Sequence, residues 1–80
     1  MTFAARLTHL LTEHNLSLWQ LAARASLVYA TVTALQRGDV FPRSTTQDAL
    51  AAAFGLTREE LMADVERHTR RDGRAKVVTL

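Results

Sequence analysis

Residues 16–38 read LSLWQLAARASLVYATVTALQRG, and the architecture turns on them. Ser17 and Gln20 have the spacing of a capping box, in which each side chain satisfies a backbone N–H that the first helical turn leaves unpaired. Leu16 and Leu21 flank the box as a hydrophobic staple, so a short helix is expected to open at Leu18. Ala22 and Ala25 are small enough for another helix to pack closely, and Ser26-Leu27 can turn the chain. A second short helix is expected from Val28 to Arg37, stopped by Gly38 as its left-handed cap.

Working outward, Phe3, Leu7, Leu10, Leu11 and His14 fall on one stripe of an amphipathic helix that Asn15 can end. Downstream, Asp39 to Arg43 is a loop, with Pro42 keeping Phe41 out of helix. Ser44 and Gln47 form a second candidate capping box, opening a helix that ends at Gly55 and buries Leu50, Ala51 and Phe54. Leu56-Thr57-Arg58-Glu59-Glu60-Leu61 then repeats the staple and box of residues 16–21. The last helix is expected to start near Arg58, bury Leu61, Met62 and Val65, and fade before Gly73. The reading is all-α, with five helices over residues 1–72 and a short basic tail over 73–80. Val77, Val78 and Thr79 fit either a frayed end or a strand pairing with the same strand of a second chain.

Composition narrows the class of protein. At 80 residues the chain makes one small domain whose core is marginal unless helices pack well or chains associate. An apolar content of 48%, with only three Gly and one Pro, argues for a packed helical domain over a disordered segment. The lack of cysteine removes disulfides, thiolate nucleophiles and Cys-based zinc sites, and fits a reducing, cytoplasmic setting. Ala49 to Phe54, the longest apolar run, is far too short for a membrane span, and charges among the first leucines exclude a secretory signal. Residues 1–66 carry five Arg against seven Asp or Glu, a balance of −2. Residues 67–80 carry Arg67, Arg70, Arg71, Arg74 and Lys76 against Asp72, a balance of +4. Such a tail suits an anionic partner, nucleic acid above all; the alternative is a solvated tail that aids solubility.

Two short helices joined by a tight turn, with alanine at the crossing, are the plan of a helix-turn-helix, whose second helix fits the DNA major groove. With the five helices placed, residues 7–62 resemble the Cro/repressor-type, or Xre-like, helix-turn-helix family. The resemblance rests on Leu16-Ser17, Leu21-Ala22, Leu27, Thr31-Val32-Thr33, Leu35, Arg37-Gly38, Pro42, Leu50-Ala51, Phe54-Gly55-Leu56 and Leu61, in order and spacing. It implies a sequence-specific DNA-binding transcriptional regulator, a repressor acting as a homodimer on a two-fold operator in double-stranded DNA. Small members of the family also include antitoxins and restriction-modification controllers.

This chain departs from the family pattern in the turn and at the DNA face. Ser26 stands where the family has Gly, Val28 where it has a capping Ser or Thr, and Leu18 where it has a phosphate-binding Gln. Leu11 and Gln36 replace an Arg–Glu pair; both charges are absent together, so neither is left buried and unpaired. Position by position, the resemblance places Tyr29, Ala30, Thr31, Thr33 and Ala34 at the recognition positions. Tyr29 can hydrogen-bond a phosphate or a base edge. Thr31 and Thr33 offer a hydroxyl and a methyl, or are ordinary solvent-facing residues, and Ala30 and Ala34 can only touch a thymine methyl or admit the backbone closely. Arg37 and Arg43 flank the site and suit phosphates. Free N–H groups near Leu18 and Trp19 can substitute for the missing Gln as an anion contact.

Trp19 has two readings. Beside Leu18 it forms an exposed apolar patch next to the DNA face, for a protein or for the sugar-phosphate edge; alternatively it folds over the first helix to fill a small core. No residue set suggests an enzyme, a cofactor or a metal: His9 and His14 are five apart and share no helix face, and no strained turn presents a serine. The alternative function, from another class, is a protein-interaction module, antitoxin-like or an adaptor, using Leu18, Trp19 and Tyr29 on a protein partner.

Overall fold

Local chemistry at the helix ends sets most of the path. Thr2 opens the first helix, α1 (Phe3–Glu13), with its hydroxyl accepting the Ala5 amide at 3.1 Å. In the computed structural model, which describes residues 1–66, four more helices follow: α2 (Leu18–Ala25), α3 (Tyr29–Arg37), α4 (Ser44–Phe54) and α5 (Arg58–Leu61). The fold is therefore all-α over the described residues. Among them, no helix is long and apolar enough to cross a membrane. Arg67, Arg70, Arg71, Arg74, Lys76 and the Val77-Val78-Thr79 end lie outside the described residues, as does the boundary expected at 72/73.

Four connections share one device. Asn15 (φ 55°), Ser26 (φ 58°), Gly38 (φ 84°) and Gly55 (φ 75°) are all left-handed. Each is followed by an amide that reaches five residues back: Leu16 to Leu11 (2.9 Å), Leu27 to Ala22 (2.9 Å), Asp39 to Ala34 (3.1 Å) and Leu56 to Ala51 (2.8 Å). These bonds close otherwise orphaned carbonyls in the manner of a Schellman motif. Leu16, Leu27 and Leu56, which donate three of them, also pack against the core just before the next helix. One leucine thus seals one helix and helps set the entry of the next. Ser26 takes the left-handed conformation without being glycine, at a cost of roughly 1–2 kcal/mol. At Gly38 an added Cβ would stand 3.6 Å from the Ala4 Cβ, an ordinary contact, so glycine is needed there for its φ and not for space.

The capping boxes at Ser17/Gln20 and Thr57/Glu60 are both fully formed. The expected box at Ser44/Gln47 is not. The N-cap of α4 is Arg43, so Ser44 is already the first helical residue, and Gln47 donates its side-chain amide to the Pro42 carbonyl at 3.1 Å. Pro42 is buried and Arg43 is extended (φ −79°, ψ 170°), so α4 opens one residue earlier than the box would set it. The last helix is also shorter than expected. It ends at Leu61 and turns through residues 62–64 with Asp64 left-handed (φ 64°). Arg6 accounts for much of that stop: its Nε donates to the Leu61 carbonyl (3.0 Å) and its Nη2 to the Glu60 carbonyl (2.7 Å), taking acceptors a longer helix would use. Of Leu61, Met62 and Val65, only Leu61 is fully buried; the other two are half-buried against the core.

The core is Leu7, Leu10, Leu21, Val32, Leu35, Leu50 and Leu61, all nearly inaccessible, with Phe3, Leu11, Ala22, Ala25, Ala51 and Phe54 around them. α3 packs on α1 and α2, α4 packs on α2, and α5 packs on α4. Burial of Ala22 and Ala25 lets α2 lie close to its neighbours, as their size requires. Each fully buried leucine contributes roughly 1.5–3 kcal/mol, which matters in so small a domain. The core therefore fixes α2 and α3 as one unit, held from behind by α1 and α4.

Candidate nucleic-acid interface

α3 buries Val32 and Leu35. At 100° per residue, the opposite side of the helix carries Ala30, Thr33, Ala34 and Arg37. Ala30 and Arg37 are exposed and Thr33 and Ala34 half-exposed, so the outward strip is narrow and small until it reaches Arg37. Tyr29 and Thr31 stand on the two flanks and are half-buried. The Thr33 hydroxyl donates to the Ala30 carbonyl at 2.9 Å, so it is left with acceptor capacity and its methyl. Thr31 makes no hydrogen bond through its side chain among the described residues.

Val28 caps α3 without a side-chain hydrogen bond. The amides of Thr31 (2.9 Å) and Val32 (3.2 Å) both use the Val28 carbonyl, while those of Tyr29 and Ala30 have no partner among the described residues. A Ser or Thr at position 28 would compete for these donors; valine leaves the positive end of the helix open to an acceptor. α2 is arranged differently: its box satisfies the Ser17 and Gln20 amides and leaves those of Leu18 and Trp19 free.

Trp19 does not fold over α1. Its side chain stacks on Tyr29, with ring centroids 3.9 Å apart and planes inclined by only 10°, and it remains 66% exposed. The core reading of this residue is thus overturned: Leu16 and Leu18 already pack at the edge of the core near it, and the indole lies across the start of α3 instead. Val28, 68% exposed, adds to the same apolar exposure. Sequence periodicity gave no sign of this stack, since the partners lie on different helices. Val28 was legible only as a missing cap.

The two flanking arginines are not equivalent. Arg37 is engaged at Asp39, Nη2 at 2.8 Å and Nε at 3.0 Å from one carboxylate oxygen, on the exposed surface. Arg43 is exposed, and its guanidinium has no partner among the described residues. Leu11 and Gln36 line a shallow groove of about 620 Å³ between α1 and the start of α2, with Thr8, Thr12, Leu18 and Gln20. Leu11 is buried and Gln36 half-buried. Trp19, Tyr29, Ala30, Thr31, Thr33, Ala34 and Arg37 thus belong to one unit of two packed helices, and Arg43 lies in the segment that leaves it. In comparison with known proteins, no family model and no curated protein matches the chain.

Proposed function

We propose that this chain is a sequence-specific DNA-binding transcriptional regulator of helix-turn-helix type, a repressor that works as a homodimer on a two-fold operator. The observation that carries the reading is the form of α3. It is a short helix, buttressed by α2, with an outward strip of Ala30, Thr33 and Ala34 and two amides at its start that have no partner among the described residues. Small outward side chains let a helix sit deep in a major groove, where the Thr33 methyl and the alanines suit thymine methyl groups. Open amides and Arg43 suit backbone phosphates, which fix register and orientation. Regulation would follow from occupancy of promoter DNA.

A second reading, a protein-interaction module, is favoured by the exposure of Trp19 (66%) and Val28 (68%). Both would serve an apolar partner surface. The salt dependence of binding to a labelled duplex separates the two. For the regulator, log Kd rises linearly with log salt, and Arg43→Ala lowers that slope by about one unit on operator and random duplex alike. Absence of duplex binding at low salt by the folded protein would reject the regulator reading.

A further inference from the structure

The Trp19–Tyr29 stack joins the first turn of α2 to the first turn of α3. We propose that Trp19 is a positioning residue: it fixes the Tyr29 phenol at the mouth of α3, and the Tyr29 hydroxyl is then the group that selects a base. The inference rests on the duplex-binding reading above and assigns the discriminating contact within it.

Four observations converge on it. First, the outward strip of α3 supplies no strong base-reading group ahead of Arg37: Ala30 and Ala34 have no polar side-chain atoms, the Thr33 hydroxyl proton is committed to the Ala30 carbonyl, and Arg37, in the last turn, is engaged by Asp39. Second, Tyr29 is the first residue of α3, the end that enters a groove first, and its hydroxyl can both donate and accept. Third, a tyrosine at the start of an uncapped helix is held by little of its own: Val28 makes no side-chain cap. A 3.9 Å, near-parallel ring contact removes much of the freedom that would blur such a contact. Fourth, Trp19 is 66% exposed and so adds little to the core. Its inner face lies on Tyr29, and a stacked indole at a helix start is otherwise an expensive exposure of apolar surface.

The test compares operator and random duplexes bound by the full-length wild type, Trp19→Ala, Trp19→Phe, Tyr29→Phe and the double variant Trp19→Ala/Tyr29→Phe. Circular dichroism verifies that each is folded. Trp19→Ala is expected to lower the operator-to-random affinity ratio by about tenfold, the scale of one lost base contact. Tyr29→Phe is expected to do the same. The double variant should lose no more than either alone, because both remove one contact. Trp19→Phe should restore the ratio to within about threefold, since a phenyl ring can still stack on Tyr29. An unchanged ratio in Trp19→Ala would overturn the proposal, as would additive losses in the double variant. Equal weakening on operator and random duplex would make the indole a backbone contact and overturn it too. Failure of Trp19→Phe to rescue would also overturn it, by assigning the role to the indole N–H and not to the stacked ring. If the wild type itself shows no ratio above one, the duplex-binding reading fails, an outcome distinct from selective binding that ignores Trp19.

Discussion

Replacing Arg6 with methionine keeps most of the apolar stem and removes the guanidinium that joins the first helix to the last. Two hydrogen bonds are lost, to the carbonyls of Leu61 (3.0 Å, partly buried) and Glu60 (2.7 Å, exposed). A hydrogen bond to a charged group contributes about 1.5–3 kcal/mol when sheltered, and less where water can replace it. The sheltered bond is therefore given about 1.5 kcal/mol and the exposed one about 0.5, roughly 2 kcal/mol together. For a domain of this size that lowers Tm by about 8–16 °C. Thermal unfolding followed by circular dichroism measures it, and urea titration measures the free energy directly. Arg6→Lys is expected to fall between wild type and Arg6→Met, because an ammonium on a shorter reach cannot serve both carbonyls in one plane. Amide exchange at residues 61–66 should quicken in Arg6→Met while that of Leu35 changes only with global stability. A wild-type Tm for Arg6→Met would refute the reasoning and show that α5 is held by Leu61 burial alone.

Four further outcomes follow from the same geometry. Asp39→Asn releases Arg37 and removes an anionic charge beside α3, so it should tighten binding to random duplex at low salt, with the gain fading as salt rises; weaker binding would show that Arg37 needs Asp39 to be held in place. Ser26→Gly relieves a left-handed serine worth roughly 1–2 kcal/mol but adds about 0.4–1 of unfolded-chain entropy. Its expected net is a gain of about 0.5–1 kcal/mol in urea titration, and a loss would mean that the serine makes a compensating contact. Trp19→Ala is expected to cost only about 0.5–1.5 kcal/mol, the value of a ring pair, and Trp19 emission should report a hydrated indole; a loss of several kcal/mol would place the residue in a core. The bidentate Arg58 hydrogen bonds (2.7 and 2.8 Å) hold the Asp48 carboxyl below its ordinary value. Its small stabilisation is therefore fully present at neutral pH and is lost as pH falls from the ordinary carboxylate range through the lowered value. Asp48→Asn should flatten that part of the acid unfolding curve, and an unchanged curve would count against the pair.

What the sequence disclosed depended on how local the determinant was. The Ser17/Gln20 and Thr57/Glu60 boxes, and the stops at Asn15, Gly38 and Gly55, involve residues within five positions of one another, so their chemistry could be read along the chain. Ser44/Gln47 has box spacing and reads as a cap along the chain, but in the fold Gln47 turns its side-chain amide to the Pro42 carbonyl and Arg43 is the cap. The early end of α5 depends on Arg6, fifty-five residues from Leu61, and no local pattern encodes that meeting. At the candidate interface, Tyr29, Ala30, Thr31, Thr33 and Ala34 came from the family resemblance, and the structure buries Val32 and Leu35 on the other side of α3. The stack of Trp19 on Tyr29 was not legible, because helical period gives the side of a helix a ring leaves from and not the neighbour it lies on. Likewise, threonine at position 33 was legible as a hydroxyl, but its bond to the Ala30 carbonyl appears only once the helix is built.

Selection from a pool of random duplexes by the folded wild-type protein, with the oligomeric state in the bound complex measured alongside, tests the regulator reading most directly. The account predicts enrichment of a two-fold symmetric site, with half-sites about one helical turn apart and bound by two chains. Affinity for that site should exceed affinity for random duplex by at least roughly 10³. A pool that emerges unenriched, or binding that is equal on every duplex, would contradict it.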